Sequence, residues 1–435
     1  MKITALGGYE GVGSNMTLVK ECDTQVAIDC GISLDSFLLY YGNSGEGIED
    51  IKISELIRIG AIPDMGQIKG GLDAFLISHG HLDHIGALPL FVDKYNSHII
   101  ATRYASGLIT GKLKKQKQHL VSQSDYGKNI QISPDMSAEF IQVTHSIPDA
   151  SMIHLQTKNR SLLYACDYKF DDHSRIARTD YRRLKRLGNQ NLNTLIVEAL
   201  SSGEEGKTLS ESVARDKIKD IMSFAHDNEQ LILATTFSTH VERIQALVER
   251  AHKLGRKILI LGRSYLANCE LGEKFGLLDL PEDTIVVPKS IDSAFKQIEK
   301  QGREKYFVLV TGHQGEPGAV LTRIADKKFK FHLQNGDAVI FASRVIPTDV
   351  NIANRSQLED KLKAQGVRIF YDAHVSGHAS KEEHRKLLKL TNPEHIIPAH
   401  GNMEMIGNYV VLAESEGYKL GKNIHIMRNG NTIKL

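Results

Sequence analysis

The sequence predicts an α/β protein in which one domain is inserted into another. Three observations predict this. The chain has 435 residues, against roughly 150 per ordinary domain, so two or three domains are expected. Short apolar strands fill residues 1–203 and return over 367–435, whereas strands and helices alternate through 204–366, the pattern of a mainly parallel wound sheet. Several of the short strands end on His, Asp or Glu, so one set of strand tips carries chemistry.

Composition narrows the class. Apolar residues are 41% and charged residues 24%, an ordinary globular balance that can bury a large core. A net charge of +2 does not announce a nucleic-acid binder, although a local groove could still be basic. Cys22, Cys30, Cys166 and Cys269 show no pair spacing. They read as small buried hydrophobes in a reducing compartment, not as a disulfide framework or a cysteine zinc knuckle. The N-terminus lacks a signal pattern, and no apolar run is long enough to span a membrane. A cytoplasmic protein without membrane contact is expected.

Taken in order, Lys2 to Leu6, Met16 to Lys20 and Gln25 to Asp29 read as strands, punctuated by Gly7-Gly8 and Gly11-Val12-Gly13. The second glycine pair lacks the rest of a nucleotide fingerprint, and no long helix follows it. Asp29 could sit behind a ligand histidine or merely begin a turn. Residues 32 to 70 look like a long irregular insertion or lid. Ala74 to Ile77 is a short buried strand leading into Ser78-His79-Gly80-His81-Leu82-Asp83-His84. An extended tip throws His79 and His81 to the same side, and Asp83 and His84 start the following turn. Imidazole and carboxylate suit zinc or a similar divalent ion, and ligands split into two directions point to two metals sharing a site. A polar loop with surface histidines would explain one or two of these residues, not this run.

Ser97 to Thr102 is a strand, followed by a helix-like segment carrying Lys112, Lys114, Lys115 and Lys117, which reads equally as a phosphate contact or a solvated face. Phe140 to Thr144 is a strand ending on His145, Ser161 to Ala165 leads to Asp167, and Asn193 to Val197 ends on Glu198. In the inserted block, Leu209 to Phe224 is helical, Gln230 to Thr236 is a strand, and a helix starts at His240. Lys257 to Leu261, Tyr306 to Val310 and Ala338 to Ala342 are strands, with helices from about Gly318 and over Ala353 to Ala364. Val367 to Tyr371 then leads to His374-Val-Ser-Gly-His378, and Glu394 to Pro398 leads to His400. A helix over Met403 to Glu416 and strands near Ile424 to Met427 and Thr432 to Leu435 close the chain.

Asp29, His79-x-His81-x-Asp83-His84, His145 and Asp167 resemble the four successive motifs of the metallo-β-lactamase fold. Glu198, His378 and His400 resemble the three further motifs of the β-CASP nucleases. Within that group the chain is similar to the ribonuclease J family in its archaeal form, through Thr144-His-Ser-Ile-Pro-Asp149, Thr311-Gly-His-Gln-Gly-Glu-Pro317, His374-Val-Ser-Gly-His378 and Ile397-Pro-Ala-His-Gly401. The resemblance implies a metallo-β-lactamase αββα sandwich (1–203 and 367–435) with an inserted α/β β-CASP domain (204–366). The chain's end after the last core element fits the shorter archaeal type.

The resemblance also implies roles. His79, His81 and His145 would hold one zinc, Asp83, His84 and His400 another, and Asp167 both, with Asp29 steering a ligand histidine. Such a pair of ions, about 3.5–4 Å apart, suits hydroxide attack on a phosphodiester, and manganese is accepted by the same ligands. His378 paired with Glu198 would be the general acid; the family more often has Asp where Glu198 stands. The family's RNA-processing branch has a histidine at the place of His400. A 5′-phosphate pocket would come from Ser238, Thr239, Arg263, Ser264, Gly312, Gly315, His374 and Ser376; His313 replaces a serine of the family pattern there. The expected function is that of a mainly 5′→3′ exoribonuclease that prefers 5′-monophosphorylated single-stranded RNA, with endonuclease activity left open, in a homodimer. Alternatives are an endonuclease of the cleavage-and-polyadenylation-factor type and a non-catalytic RNA-binding subunit. The first is disfavoured because the chain starts at the first core strand, without the KH domains of its archaeal members. The second is disfavoured because no ligand is missing.

Overall fold

The structure is a computed structural model and describes residues 1–42, 47–227, 230–286, 290–346, 348–371 and 373–435. Six early strands are β1 (Lys2–Gly7), β2 (Met16–Glu21), β3 (Thr24–Ile28), β4 (Ala74–Ile77), β5 (His98–Ala101) and β6 (Val121–Gln123). Next come β7 (Ile130–Ser133), β8 (Met136–Gln142), β9 (Ser151–Thr157), β10 (Ser161–Ala165) and β11 (Thr194–Glu198). The inserted block supplies β12 (Ile232–Thr235), β13 (Lys257–Leu261), β14 (Ile285–Val286), β15 (Tyr306–Val310), β16 (Ala338–Phe341) and β17 (Arg368–Phe370). The last two strands, β18 (His395–Ala399) and β19 (Thr432–Lys434), return to the sheets where the chain began.

Three sheets result, ordered β19-β1-β2-β3-β4-β5-β6, β18-β11-β10-β9-β8-β7 and β14-β13-β15-β12-β16-β17. The first two pack face to face as a sandwich. Val26, Ile28 and Leu76 of one sheet meet Phe140, Leu162, Tyr164 and Ile397 of the other in a single core. The next residues along β10 and β11, Leu163, Ala165, Leu195 and Val197, face the other way and pack under helices through Leu184, Leu387 and Tyr409. Sheets covered on both faces explain why these strands read as unbroken apolar runs. The third sheet is parallel at every pairing, with Leu233, Leu259, Val308 and Val339 in its own core.

The chain divides into a first unit, Met1–Asp172, Ala177–Thr208 and Ser376–Leu435, and a second, His173–Ile176 and Leu209–Val375. β17 pairs with β16, so residues 368–370, read from sequence as the return of the first domain, belong to the inserted sheet. The stretch 32–70 holds helices Leu34–Tyr41 and Ile53–Arg58 where an irregular loop was expected, with 43–46 outside the described residues. Ile424 makes only isolated bridges, so no strand runs over 424–427. Cys22 is exposed; the other cysteines are buried, and all four are free.

Candidate metal centre

Topology brings the strand tips together. β3 and β4 are parallel neighbours, so Asp29 and Ser78-His79 leave the first sheet side by side. β10, β11 and β18 are parallel neighbours in the second sheet, which puts Asp167, Glu198 and His400 at one edge. Asp29, Asp167 and His400 have φ of 60°, 54° and 48°. Such left-handed residues are uncommon outside glycine and concentrate at functional sites. The turn after β3 is stitched to the metal-type run: Cys30 N–H donates to His84 O at 2.8 Å and Asn15 N–H to Asp83 O at 3.0 Å. Gly31 permits this approach, since a Cβ there would lie 1.5 Å from Asp83 O.

Among the described residues three groups of possible metal donors meet at Asp167: two rich in imidazole, and a third with Glu198 and His378. In the first, His79 Nε2 and His145 Nε2 each lie 3.1 Å from His81 Nδ1 and 3.5 Å from Asp167 Oδ2. Donors tethered tetrahedrally at zinc distances are about 3.4 Å apart, the spacing seen here. The outer nitrogens set the tautomers. His145 Nδ1–H donates to Gly377 O at 2.7 Å. Ser78 Oγ–H donates to Asp29 Oδ2 at 2.8 Å, leaving Ser78 Oγ to accept from His79 Nδ1–H at 3.1 Å. Both inner nitrogens therefore present lone pairs, and His81 Nδ1 could satisfy one of them at most. Burial and the neighbouring imidazoles hold His79 and His145 well below the usual histidine range, and burial takes His81 down to about 4.

In the second cluster, His84 Nε2 is 3.2 Å from Asp83 Oδ2 and 3.4 Å from Asp167 Oδ1. His400 Nε2 is 3.6 Å and 3.2 Å from the same two oxygens. His84 Nδ1–H donates to Asp29 Oδ2 at 2.7 Å. Burial works against a charge on His84, but Asp83, Asp167 and Asp29 together raise it well above the usual range. The extra proton at Nε2 stands where a cation would sit. Asp167 Oδ1 is buried and has no hydrogen-bond partner. A buried carboxylate oxygen without a donor is costly, and a divalent ion between it, His84 and His400 removes that cost. The donor set thus fits divalent metal at both clusters.

His378 stands beside them, its ring centroid 5.0 Å from that of His145. Its Nδ1–H donates to Glu198 Oε2 at 2.7 Å, while Glu198 Oε1 accepts from Tyr168 N–H at 3.0 Å. Burial lowers the proton affinity of His378, but Glu198 and then Asp167 outweigh it and raise it to about 9. Asp83 and His378 keep 29% and 28% of their side chains exposed, against 2% or less for His84, Asp167 and His400, so the cluster opens on their side.

Profiles of known families match along the chain. That of the metallo-beta-lactamase superfamily matches residues 9–187, that of the ribonuclease J beta-CASP domain 229–358, and that of the Zn-dependent metallo-hydrolase RNA specificity domain 367–427. A protein named ribonuclease J from Methanocaldococcus jannaschii is 41% identical over 443 residues, covering 100% of this chain and 98% of that one. The chain belongs to the ribonuclease J family. It is a metal-dependent ribonuclease of the metallo-β-lactamase and β-CASP class. Ribonuclease J of Pyrococcus abyssi is 40% identical, with 97% of its length covered, and that of Mycoplasma genitalium 29%, with 73% covered. A crystal structure of a protein of unknown function from Enterococcus faecalis V583 shares the fold, at TM-score 0.65 and 17% identity over 100% of this chain and 99% of that one.

One residue that meets both histidines of the second cluster carries little signal in the sequence. Asn15, 2% exposed, accepts from His400 Nδ1–H at 2.7 Å, and its Nδ2 lies 3.1 Å from His84 Nε2. It fixes the His400 tautomer as Asp29 fixes that of His84. Its only sequence signal was its place behind Gly11-Val12-Gly13. Asn15→Ala should lower metal affinity about 10–100-fold, read by competition with a chromogenic chelator. A variant with native affinity would mean that His400 needs no such hold.

The expected phosphate-binding residues fall at the C-terminal ends of parallel strands in the second unit. Ser238-Thr239 follows β12, Arg263-Ser264 follows β13, and Gly312 to Gly315 follows β15, which lies between them in the sheet. Asn268 Nδ2 joins the first two, donating to Ser264 O at 2.8 Å and reaching Ser238 Oγ at 3.5 Å. The His313 ring stands 4.3 Å from that of Phe237. His374 follows β17 instead, 3.4 Å from the guanidinium of buried Arg243. Ser376 belongs to the first unit, where its Oγ accepts from His378 N–H at 3.1 Å. In the lysine run, Lys114 and Lys117 both reach Asp93, at 3.4 and 3.5 Å, which favours a solvated face.

Proposed function

We propose that the chain hydrolyses the phosphodiesters of single-stranded RNA with two divalent ions, zinc or manganese, working mainly 5′→3′ from a 5′-monophosphate. The observation that carries this reading is Asp167, whose two oxygens serve two separate lone-pair clusters. His79, His81 and His145 would hold one ion, and Asp83, His84 and His400 the other. When bound, the ions supply a water activated at neutral pH and neutralise charge building on phosphorus. Asp29 and Asn15 keep His84 and His400 in the tautomer that turns Nε2 inward. Glu198 anchors Nδ1 of His378, so Nε2 keeps a proton for the leaving 3′ oxygen.

The 5′-end preference would rest on Ser238, Thr239, Arg263, Ser264, Gly312, Gly315, His374 and Ser376. Strand-to-helix turns of this kind present N–H groups to anions. His400 as ligand is the feature of the RNA-processing branch. The same family reading supports a homodimer in the cytoplasm. Among the described residues no helix is long and apolar enough to cross a membrane.

The test is a time course on RNA labelled at its 5′ end and bearing monophosphate, triphosphate or hydroxyl. Mononucleotide should appear first and fastest from the monophosphate, and chelation should stop the reaction. Internal fragments appearing first would turn the reading to an endonuclease. Activity surviving complete metal removal would overturn the metal mechanism.

A further inference from the structure

Away from the metal centre, positive charge gathers on one face of the first unit. The whole chain carries only +2, yet helices Tyr181–Asn189 and Lys381–Thr391 hold four lysines and arginines each. The two helices meet at Gly188, where a Cβ would lie 2.3 Å from Leu390 O. Lys185 of one helix and Lys386 of the other line a groove of about 690 Å³, together with Lys207 and with Glu382, which pairs with Arg385 at 3.3 Å. On the same groove, Arg385 and Lys389 are neutralised by Glu416, at 2.5 and 3.5 Å. Lys185, Lys207 and Lys386 have no ion-pair partner among the described residues.

Lys386 is not a freely waving lysine. Its ammonium sits 3.7 Å over the Tyr181 ring and 5.0 Å from that of Phe170. Burial, and more weakly Lys207, hold its proton affinity below that of an ordinary lysine, against the opposite pull of Asp172 and Glu383. Lys207 and Lys386 repel one another, and a phosphate in the groove they line would relieve this. The groove also has a direction. Lys207 precedes Thr208, whose Oγ–H donates to His378 O at 2.6 Å, and Ser380 caps the helix that carries Lys386. From Lys381 to Lys389 that helix runs on for about 12 Å.

We propose that this groove is an accessory site for the phosphodiester backbone of single-stranded RNA, holding the chain outside the metal centre. The proposal rests on the ribonuclease reading above and adds a second place of contact. Lysines grip phosphates as point charges and read no bases, so the contact is independent of sequence and weakens with salt.

The test compares the metal-replete enzyme with a variant carrying Lys185→Gln, Lys207→Gln and Lys386→Gln. The probes are phosphorothioate-linked single-stranded RNAs of about twenty and about four nucleotides, which keep the backbone charge and resist hydrolysis. Affinity is read by fluorescence anisotropy between 50 and 200 mM salt, with the melting midpoint checking the fold. For the long RNA, affinity should fall about tenfold or more at low salt, and the slope of log K against log salt should shrink by about 2, three contacts at about 0.7 each. The short RNA should bind both proteins alike. An unchanged affinity and slope for the long RNA would overturn the proposal. So would an equal loss for the short one, which would place these lysines at the metal centre. If the unsubstituted enzyme neither binds nor cleaves RNA, the functional reading itself fails, a result separable from the other two.

Discussion

Asp167→Asn should remove metal and lower turnover by about 10³-fold or more, while the fold persists. Asn has the same shape and tolerates the positive φ of 54° that this position demands. The core around it is therefore undisturbed, and what changes is charge and donor chemistry. Asp167 Oδ2 faces His79 and His145, and Oδ1 faces His84 and His400. An amide would turn N–H groups toward one of these clusters, where lone pairs already converge. The 10³ figure is what electrostatic stabilisation of the developing charge contributes when a preorganised group is deleted, with the loss of an ion added. Mass spectrometry of the metal content and a cleavage assay check it together. Full metal content with turnover inside tenfold of the parent would mean that the carboxylate is not shared.

His378→Ala should do the opposite to metal and nearly as much to rate: native metal content, turnover down about 10²–10⁴-fold. The side chain is not in either lone-pair cluster; its Nδ1 is committed to Glu198 at 2.7 Å. Glu198→Gln should follow it with a smaller loss. The Gln carbonyl can still accept from Tyr168 N–H, but its amide would donate to His378 Nδ1 and stop holding the imidazolium. Metal loss in His378→Ala would move the residue from proton donor to ligand. An unaffected rate would leave the leaving oxygen to be protonated by something else.

Much of this site can be read in the sequence because it uses residue types that are hard to explain otherwise. His79, His81, Asp83 and His84 fall within six positions at the tip of an apolar strand, and no ordinary core or turn asks for that run. His145, Asp167 and Glu198 carry the same signature, an apolar run broken by a metal-type residue. The alternation of strand and helix after residue 204 announced a wound parallel sheet, and the third sheet is parallel throughout. Boundaries were less legible. β17 is three residues long and has no pattern of its own, so only its pairing with β16 assigns it to the inserted sheet. The 32–70 stretch reads as a loop because its glycines and polar residues obscure two short helices that take their stability from packing.

By itself, the sequence determined that the chain is an α/β protein built on metal-bearing strand tips, since residue type and apolar period are local properties. Only the tertiary structure shows which tips lie within reach of one another and what holds each imidazole. Asn15 carries no chemistry that local reading would single out, and it joins the site because β18 delivers His400 Nδ1 to 2.7 Å from its side chain, 385 residues away. The basic groove is likewise not a run in the chain. It exists because Gly188 lets two helices far apart in sequence lie in contact. Both follow from one physical fact: hydrogen-bond and charge networks act over a few ångströms of space, and chain folding, not sequence separation, sets those distances.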